Sequence, residues 1–364
     1  MALPHLRDIP VTALGERLAA AGFENATRVA HVLGMSIHRD GAMNAEETPL
    51  GRERRALLAA AFDFEPLLTP AGVRRGADGA TRKYAFRLRS GEVIETVLIR
   101  HWDDHTLCVS SQAGCALGCS FCATGTMGLS RNLSAGEITE QVVRVQKDAG
   151  VRVTDVVFMG MGEPLHNYVP VMDACVNLND RSGHGIARRR ITVSTAGLVP
   201  GIRRFTADRQ RWRLHLSLHS AVQRTRERIM PVARTHPLPE LLDAMREHQR
   251  ELALKWLTFQ YVAIPDVNMD QEHVDALATE LHGLRYILNV IPWNDTGASF
   301  RPPSWDEVRA FTGRLRALNC PVKVRYSAGK QDGMGCGQLS AETLAVAPAL
   351  AGSHMAAAPG IFTR

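Results

Sequence analysis

The spacing of hydrophobic and polar positions changes along the chain, and the change predicts a two-part architecture. Up to about residue 80 the apolar positions recur at helical spacing, as in Leu14, Leu18 and Phe23 and again within 52–64. We therefore predict a small helical accessory unit over residues 1–80. From residue 105 onward, short β-branched runs alternate with amphipathic segments, which is typical of repeated strand–helix units.

Between these parts, residues 81–104 predict a β-hairpin extension that links the helical unit to the core. Residues 84–88 and 92–99 are strand-like and flank the turn Arg89-Ser90-Gly91, where glycine suits the turn. The core is then predicted to span residues 105–340. Residues 341–364 are rich in alanine, and we expect them to form a flexible tail.

The core pattern predicts a parallel sheet built from strand–helix units. Its strands are expected over 106–111, 154–159, 191–195, 213–218, 256–264, 286–291 and 322–326. Ser134 and Glu137 predict a capping box ahead of one helix, and Ser304 and Glu307 repeat the pattern ahead of another. Right-handed crossovers curl such a sheet, so we predict an α/β fold with a partial or complete (β/α) barrel. An open three-layer sandwich is the competing topology.

Composition limits the class of protein. With 364 residues and 45% of them hydrophobic, the chain is too long for a disulfide-stapled mini-protein and too apolar for a disordered one. It has no run of eighteen apolar residues, and its N-terminus lacks the apolar centre of a signal peptide. We expect a soluble, cytoplasmic protein that does not associate with membranes and is a monomer.

Cysteine is the first residue type that indicates chemistry. The chain has seven cysteines, four of them between residues 108 and 122, which argues for metal or catalytic use in a reducing compartment. Cys115, Cys119 and Cys122 form a C-x3-C-x2-C run after the first core strand. Three thiolates on one loop can hold three irons of a four-iron cluster and leave one iron open. Zinc is the alternative, although a structural zinc site needs a fourth ligand.

Further candidate residues follow the other predicted core strands. In parallel βα folds ligands bind at the carboxyl ends of the strands, so these residues are expected to share one rim. The turn GMGEP follows the second strand, and small polar groups end the third, fourth and sixth. The candidates are Gly162, Glu163, Ser194, Ser217, Leu218, His219 and Asn294.

The cysteine run followed by GMGEP resembles the radical S-adenosylmethionine enzymes. The stretches DVVFMGMGEPLHNY, RRITVSTAGLVPGI, LSLHS, VIPWN and CGQL, in that order, are similar to the family that methylates an adenine of 23S ribosomal RNA. This resemblance covers about residues 84–340. It implies one [4Fe–4S] cluster on Cys115, Cys119 and Cys122, and S-adenosylmethionine contacts at the rim candidates. Two S-adenosylmethionine molecules are used per turnover, one as methyl donor and one as radical source.

The resemblance also implies roles for three further residues. Cys336 matches the cysteine that accepts a methyl group, from which the deoxyadenosyl radical then removes a hydrogen. Cys108 matches the cysteine that attacks Cys336, forms a disulfide and frees the methylated base. Glu95 matches the proton acceptor, and the period-two pattern of its strand places it on an apolar face, which favours a stronger base.

The distribution of charge along the chain indicates RNA as a binding partner. The net charge of +6 is modest, but residues 181–235 hold thirteen arginines and two acidic residues, a local charge of +11 that leaves about −5 elsewhere. Clustered arginines suit the phosphates of folded RNA. The resemblance implies 23S ribosomal RNA as substrate, transfer RNA as an additional candidate, and an electron donor such as flavodoxin or ferredoxin. The helical unit is expected to dock RNA.

Several alternatives stay open from the sequence. Carbon 2 of adenine is the expected target and carbon 8 the alternative, because KQDGMG at 330–335 departs from the acidic run that usually precedes the last cysteine. A radical S-adenosylmethionine enzyme with another substrate and a non-catalytic, metal-bearing RNA-binding protein are the other hypotheses. Cys175 and Cys320 are expected to be ordinary apolar positions.

Overall fold

The computed structural model describes residues 3–340 and begins with a group of helices. These are α1 (Val11–Ala20), α2 (Ala26–His38) and α3 (Arg52–Ala61), which enclose an apolar core of their own. Buried polar contacts attach this group to the rest of the chain. Asp8 Oδ1 accepts a 2.8 Å hydrogen bond from the Gly136 amide, and the Arg7 guanidinium lies 3.6 Å from the Glu140 carboxylate.

Four antiparallel strands follow the helices. They are β1 (Leu68–Arg75), β2 (Thr81–Leu88), β3 (Val93–His101) and β4 (Asp104–Cys108). The predicted hairpin corresponds to β2 and β3. Placing residues 68–75 in the helical unit is wrong, because they form β1 at the edge of the sheet. Pro70 obscures the strand pattern, and the register shifts between Pro70 and Gly72, a bulge that an edge strand tolerates.

A small hairpin that the sequence pattern did not predict carries the cysteine run. It pairs β5 (Gln112–Cys115) with β6 (Gly128–Asn132), and the short helix α4 (Ala123–Thr126) lies between the two strands. The strands are only four and five residues long, and Gly114 breaks their register. The residues of these strands, QAGC and GLSRN, include no β-branched or aromatic side chain, so the sequence gives no strand signal there.

The parallel part of the sheet starts at β4. Six further strands extend it, each pairing in parallel with its neighbour: β7 (Asp155–Phe158), β8 (Ile191–Thr195), β9 (Arg213–Ser217), β10 (Leu257–Ala263), β11 (Tyr286–Pro292) and β12 (Val322–Val324). The seven strands predicted for the core are present. One ten-stranded sheet results, in which β1 to β4 are followed by β7 to β12.

Helices cover the sheet between the strands. They are α5 (Ala135–Ala149), α6 (Tyr168–Asn179), α7 (Val199–Ala207), α8 (Gln223–Ile229), α9 (Val232–Thr235), α10 (Leu238–Glu251), α11 (Gln271–Glu280) and α12 (Trp305–Leu315). Both predicted capping boxes are present, Ser134 with Glu137 on α5 and Ser304 with Glu307 on α12. The helices bury one apolar face each against the strands, which forms the main core of the protein.

The sheet is open, with β1 and β12 at its two edges, so the α/β prediction holds in the form of a partial barrel. The segment after β12 crosses to the other edge. Asp332 Oδ2 accepts from the Ala77 amide at 3.0 Å, and the Ser340 amide donates to Glu95 Oε2 at 3.0 Å. Within residues 3–340 no helix is long and apolar enough to cross a membrane. The predicted tail, 341–364, lies outside the described residues.

Candidate active site

A cavity of about 970 Å³ opens at the carboxyl ends of the parallel strands, where the sequence predicts the site. Most of the candidate residues line it together. They are Cys115, Cys119, Cys122, Gly162, Glu163, Ser194, Ser217, His219, Asn294 and Cys336. Three candidates, Glu95, Cys108 and Leu218, lie outside its lining.

The cysteine loop is fixed by backbone contacts on both sides. The Cys122 amide donates to the Cys119 carbonyl at 3.2 Å, and the Ser120 amide donates to the Ile229 carbonyl at the end of α8 at 3.0 Å. Gly125 allows α4 to pack on Cys119, because a Cβ there would lie 2.7 Å from the Cys119 carbonyl oxygen. The loop conformation is therefore set by the protein itself.

The three thiols of the loop fit a four-iron cluster. Burial raises the pKa of each of these thiols, and for Cys119 the neighbouring Cys122 and Cys115 raise it further, so the three sulfurs lie near one another. Three thiolates on one loop can hold three irons of such a cluster and leave the fourth iron open towards the cavity.

The glycines of GMGEP serve backbone packing. Gly162 has φ +101°, and a Cβ there would lie 2.6 Å from Cβ of Gln112 on β5. A Cβ at Gly160 would lie 2.7 Å from the Val109 carbonyl oxygen. These glycines let the turn after β7 approach the strands that lead into the cysteine loop.

Glu163 ties two strand ends together. Its Oε2 accepts from the Ala196 amide at 2.8 Å and its Oε1 from the Leu165 amide at 3.0 Å, while its own amide donates to Gln112 Oε1 at 2.8 Å. Burial raises the pKa of this carboxyl to about 7, and the hydrogen bonds act in the opposite direction. A carboxylate has about four lone-pair sites, so Glu163 retains capacity for an ammonium group.

The end of β9 presents Ser217 and His219 to the cavity but turns Leu218 away. Leu218 is fully buried in the main core and is not part of the cavity lining, so the structure does not bring it together with the other candidates. His219 has φ +58°, and its Nδ1 accepts from the Val262 amide at 3.0 Å. Burial lowers the pKa of His219 to about 3, with the Arg226 charge acting in the same direction. The ring is therefore neutral with its proton on Nε2, a donor for the cavity.

Asn294 holds the segment that carries Cys336. Its Nδ2 donates to the Cys336 carbonyl at 2.9 Å and to Ser327 Oγ at 2.8 Å. The same segment binds the cysteine loop, since the Ala123 amide donates to the Gly337 carbonyl at 2.8 Å. Oδ1 of Asn294 is the atom left for a ligand. The sequence indicated Asn294 as a contact residue and missed this positioning role.

Folding brings Cys108 and Cys336 together although 228 positions separate them in the chain. Cys336 is solvent-accessible in the cavity, while the surrounding protein and the nearby Cys122 raise its pKa to about 11. Burial raises the pKa of Cys108 to about 12, and the proximity of Cys336 adds to that shift. Cys108 thus lies behind Cys336 at the end of β4.

Glu95 has a different environment from the predicted apolar face. It is fully buried, and the Lys83 ammonium lies 3.0 Å from its Oε1. Lys83 and Cys108 both pair with Val97 across the sheet, on β2 and β4, so all three share a face with Glu95. The lysine was missed because it ends the polar, turn-like segment GADGATRK at 76–83, where nothing in the sequence indicates a buried ion pair.

Comparison with known proteins agrees with this geometry. A model of the radical SAM superfamily matches residues 109–278. The dual-specificity RNA methyltransferase RlmN of Syntrophobacter fumaroxidans is 46% identical over 269 residues, covering 73% of this chain and 78% of that protein. The RlmN of Anaeromyxobacter dehalogenans is 40% identical over 349 residues, covering 93% and 92%. A solved radical SAM methyltransferase from Sphaerobacter thermophilus superposes with TM-score 0.87 at 41% identity, covering 93% of this chain and 100% of that chain.

The chain belongs to the radical SAM RNA methyltransferases. Members of this family use a [4Fe–4S] cluster and S-adenosylmethionine, and the three cysteines with the surrounding cavity fit both groups. Cys115, Cys119 and Cys122 are the residues that would hold the cluster.

Arg226 on α8 is a further residue of this methyltransferase site that the sequence analysis did not single out. It is fully buried, its Nη2 donates to the Ala196 carbonyl at 2.6 Å, and its Nε donates to the Leu218 carbonyl at 3.2 Å. Its Nη1 has no hydrogen-bond partner within residues 3–340. Burial lowers the pKa of Arg226 to about 10, and the Cys119 thiol opposes that shift. The cysteine loop is therefore the charge complement of this cation.

The arginines of residues 181–235 do not form one surface in this methyltransferase. Those in 188–190 and 209–213 precede β8 and β9, at the amino ends of the strands, whereas those on α8 and α9 lie near the cavity. Some are neutralised within the protein, such as Arg190, which pairs with Asp104 at 2.7 Å and Asp155 at 2.5 Å. The local charge of +11 is thus divided between two ends of the sheet.

Proposed function

We propose that this enzyme methylates an adenine carbon of 23S ribosomal RNA through a methylated Cys336. Carbon 2 is the proposed target atom, carbon 8 is the alternative, and transfer RNA is a second proposed substrate, which agrees with the dual specificity in the names of its relatives. The observation that carries the proposal is the position of Cys336. Cys336 lines the cavity of the three cluster cysteines and lies near the half-buried Cys108.

In the proposed reaction Cys336 Sγ first accepts a methyl group from S-adenosylmethionine, so an S–C bond forms and S-adenosylhomocysteine leaves. When bound, the cluster supplies the electron that cleaves a second S-adenosylmethionine. The deoxyadenosyl radical formed by this cleavage removes a hydrogen atom from the methyl group on Cys336. The carbon radical on Cys336 then bonds to the adenine ring. Ser217, His219 and Asn294 line the space in which these groups must meet.

Release requires the second thiol. As its proton leaves, Cys108 Sγ attacks Cys336 Sγ, the S–S bond forms, and the S–C bond to the base breaks. The surplus electron of the sulfur pair would return to the cluster, which gave up one electron in the cleavage of S-adenosylmethionine. Glu95 takes the proton from the methylated ring carbon, and a proton returns to the methylene group. The Lys83 ammonium, 3.0 Å from Glu95 Oε1, positions this carboxylate.

The test is methylation of 23S ribosomal RNA fragments and transfer RNA by anaerobically reconstituted variants. Cys336→Ala is expected to abolish methylation while keeping the visible absorbance of the cluster. Cys108→Ala is expected to accumulate protein linked covalently to RNA. Cys320→Ala, on a half-buried thiol elsewhere, is the matched control and should retain activity.

Mass spectrometry of the digested RNA distinguishes carbon 2 from carbon 8 products. Methylation that persists in Cys336→Ala would contradict the proposed thiol route. Methylation of carbon 8 alone would contradict the proposed target atom, and failure to methylate transfer RNA would contradict the second substrate.

A further inference from the structure

A second cavity, of about 990 Å³, lies at the opposite end of the sheet from the cysteines. Its walls come from the amino ends of β9 to β12 and the connections that lead into them. The strands therefore separate it from the methyltransferase site. Neither the family resemblance nor the proposed reaction uses this cavity, which we call the N-terminal cavity.

The N-terminal cavity is strongly basic. Arg211, Arg213, Lys323 and Arg325 line it, and its lining contains no aspartate or glutamate. None of these four side chains forms an ion pair with a carboxylate in the described part of the chain. Three of the six other arginines in residues 188–213 do have acidic partners, namely Arg190, Arg203 and Arg204. Four unneutralised cations around one concavity indicate an anionic occupant.

The inner wall of this cavity adds neutral hydrogen-bonding groups. Gln260 Nε2 donates to His215 Nδ1 at 2.9 Å, which places the His215 proton on Nε2. Burial, together with Arg213 and Arg325, lowers the pKa of His215 to about 4, so the ring stays a neutral donor. Asn289, opposite Lys323 in the β11–β12 pair, has a buried Oδ1 without a hydrogen-bond partner in residues 3–340. An occupant with anionic oxygens and one hydroxyl or amino donor satisfies this set.

Two tryptophans complete the lining. Trp256 is 42% exposed, and Trp212 lies below the Arg188 guanidinium, which is 5.8 Å from the ring centroid. Cationic side chains beside accessible aromatic rings are the combination that binds nucleotides, with phosphate on the cations and the base on the ring. A free inorganic anion would leave the tryptophan face without a partner.

We infer that the N-terminal cavity binds a nucleotide, with its phosphate on Arg213, Lys323 and Arg325 and its base on Trp256. The phosphate comes either from a free nucleotide or from a distal part of the RNA strand, since both present the same chemistry. The inference does not depend on the proposed methylation reaction. It assigns to this end of the protein a binding function that is separate from the chemistry at the cluster.

The test is titration of the full-length protein with adenosine monophosphate, inorganic phosphate and a short single-stranded RNA, followed by calorimetry and tryptophan fluorescence. Lys323→Ala/Arg325→Ala is expected to weaken binding of the nucleotide or the RNA at least tenfold. Arg309→Ala, an exposed cation on α12, is the matched control and should bind as the wild type does. Unchanged S-adenosylmethionine binding and circular dichroism show that the double variant is folded. Should it fail to fold, Arg211→Ala/Arg213→Ala replaces it.

The results of these titrations distinguish a free nucleotide from an RNA strand as the source of the phosphate. Binding of adenosine monophosphate with quenching that disappears in Trp256→Ala supports a free nucleotide. Binding of the RNA alone, with a salt dependence whose slope decreases by about two in the double variant, supports an RNA strand. Binding of inorganic phosphate as tightly as the nucleotide, no binding of any of the three probes, or equal binding by wild type and double variant overturns the inference.

Discussion

Replacing Arg226 by methionine is expected to make the cluster harder to reduce. The wild-type guanidinium is buried beside Cys119, and its two hydrogen bonds go to neutral carbonyl groups at Ala196 and Leu218. No acidic side chain neutralises it among residues 3–340. Its positive charge therefore acts on the cysteine loop with little local compensation. Adding an electron to a cluster on that loop is easier with this cation present.

The size of the effect follows from the Coulomb energy. For a separation on the order of 8 Å and an effective dielectric constant of about 20, one unit charge contributes about 2 kcal/mol. For a one-electron couple this corresponds to a potential about 90 mV more negative in Arg226→Met, since a tenfold change in equilibrium constant equals about 59 mV. Arg226→Lys keeps the charge and is expected to shift the potential by less than half as much.

The assay is a redox titration of anaerobically reconstituted protein, monitored by electron paramagnetic resonance and compared at equal cluster content. Arg224→Met, an exposed position two residues earlier on α8, is the matched control and should leave the potential unchanged. A potential for Arg226→Met within about 20 mV of the wild type would refute the electrostatic reasoning. Equal shifts in the lysine and methionine variants would assign the effect to the lost hydrogen bonds instead.

Three further predictions concern stability. Gly162→Ala is expected to lower the free energy of unfolding by about 3 kcal/mol, because Gly162 combines a positive φ with a close approach to Gln112. Gly128 has a positive φ but open space around it, so Gly128→Ala should lower the free energy of unfolding less in the same chemical denaturation experiment. Lys83→Met is expected to destabilise by about 3–5 kcal/mol by leaving Glu95 buried and unpaired, and Lys83→Met/Glu95→Leu should recover most of that loss; a double variant no more stable than the single one would contradict this. His38 and His184 are both buried, and their ring centroids are 5.2 Å apart. Burial lowers the pKa of both histidines, and that of His184 falls to about 3. The unfolded chain therefore takes up protons that the folded one does not, so stability is complete above about pH 6.5 and falls below it by about 1.4 kcal/mol per pH unit for each histidine. His184→Asn should remove one such contribution between pH 6.5 and 5, and an unchanged slope would refute it.

The parts of the fold with strong periodic signals could be predicted from the sequence. The seven core strands and both capping boxes depend on local patterns of five to fifteen residues, which the chain presents clearly. β1 was missed because Pro70 and Gly72 interrupt its pattern, and β5 and β6 because they contain no β-branched or aromatic residue. In each case the strand exists through pairing with a partner, which a local pattern does not contain.

The candidate site residues also differ in how well the local sequence predicts them. Residues that follow directly after a strand, such as Ser217 and His219, share one cavity because parallel strands end on one side of the sheet. Leu218, between them, points into the core by the same alternation. Lys83 and Arg226 escaped the sequence analysis since their importance comes from burial beside a distant charge. No spacing within the chain encodes that burial.

The division of the arginines shows why local charge alone does not locate a binding surface. A segment that runs through a strand–helix unit visits both ends of the sheet, so residues close in sequence lie far apart in space. On β9, Arg213 and His215 belong to the N-terminal cavity, whereas Ser217, two residues later on the same face, lines the methyltransferase site. Gln260 on β10 faces the methyltransferase cavity and also donates to His215, so one side chain is the boundary between the two. The positive charge of a segment of this length is therefore distributed over both ends of the sheet and does not by itself locate a binding surface.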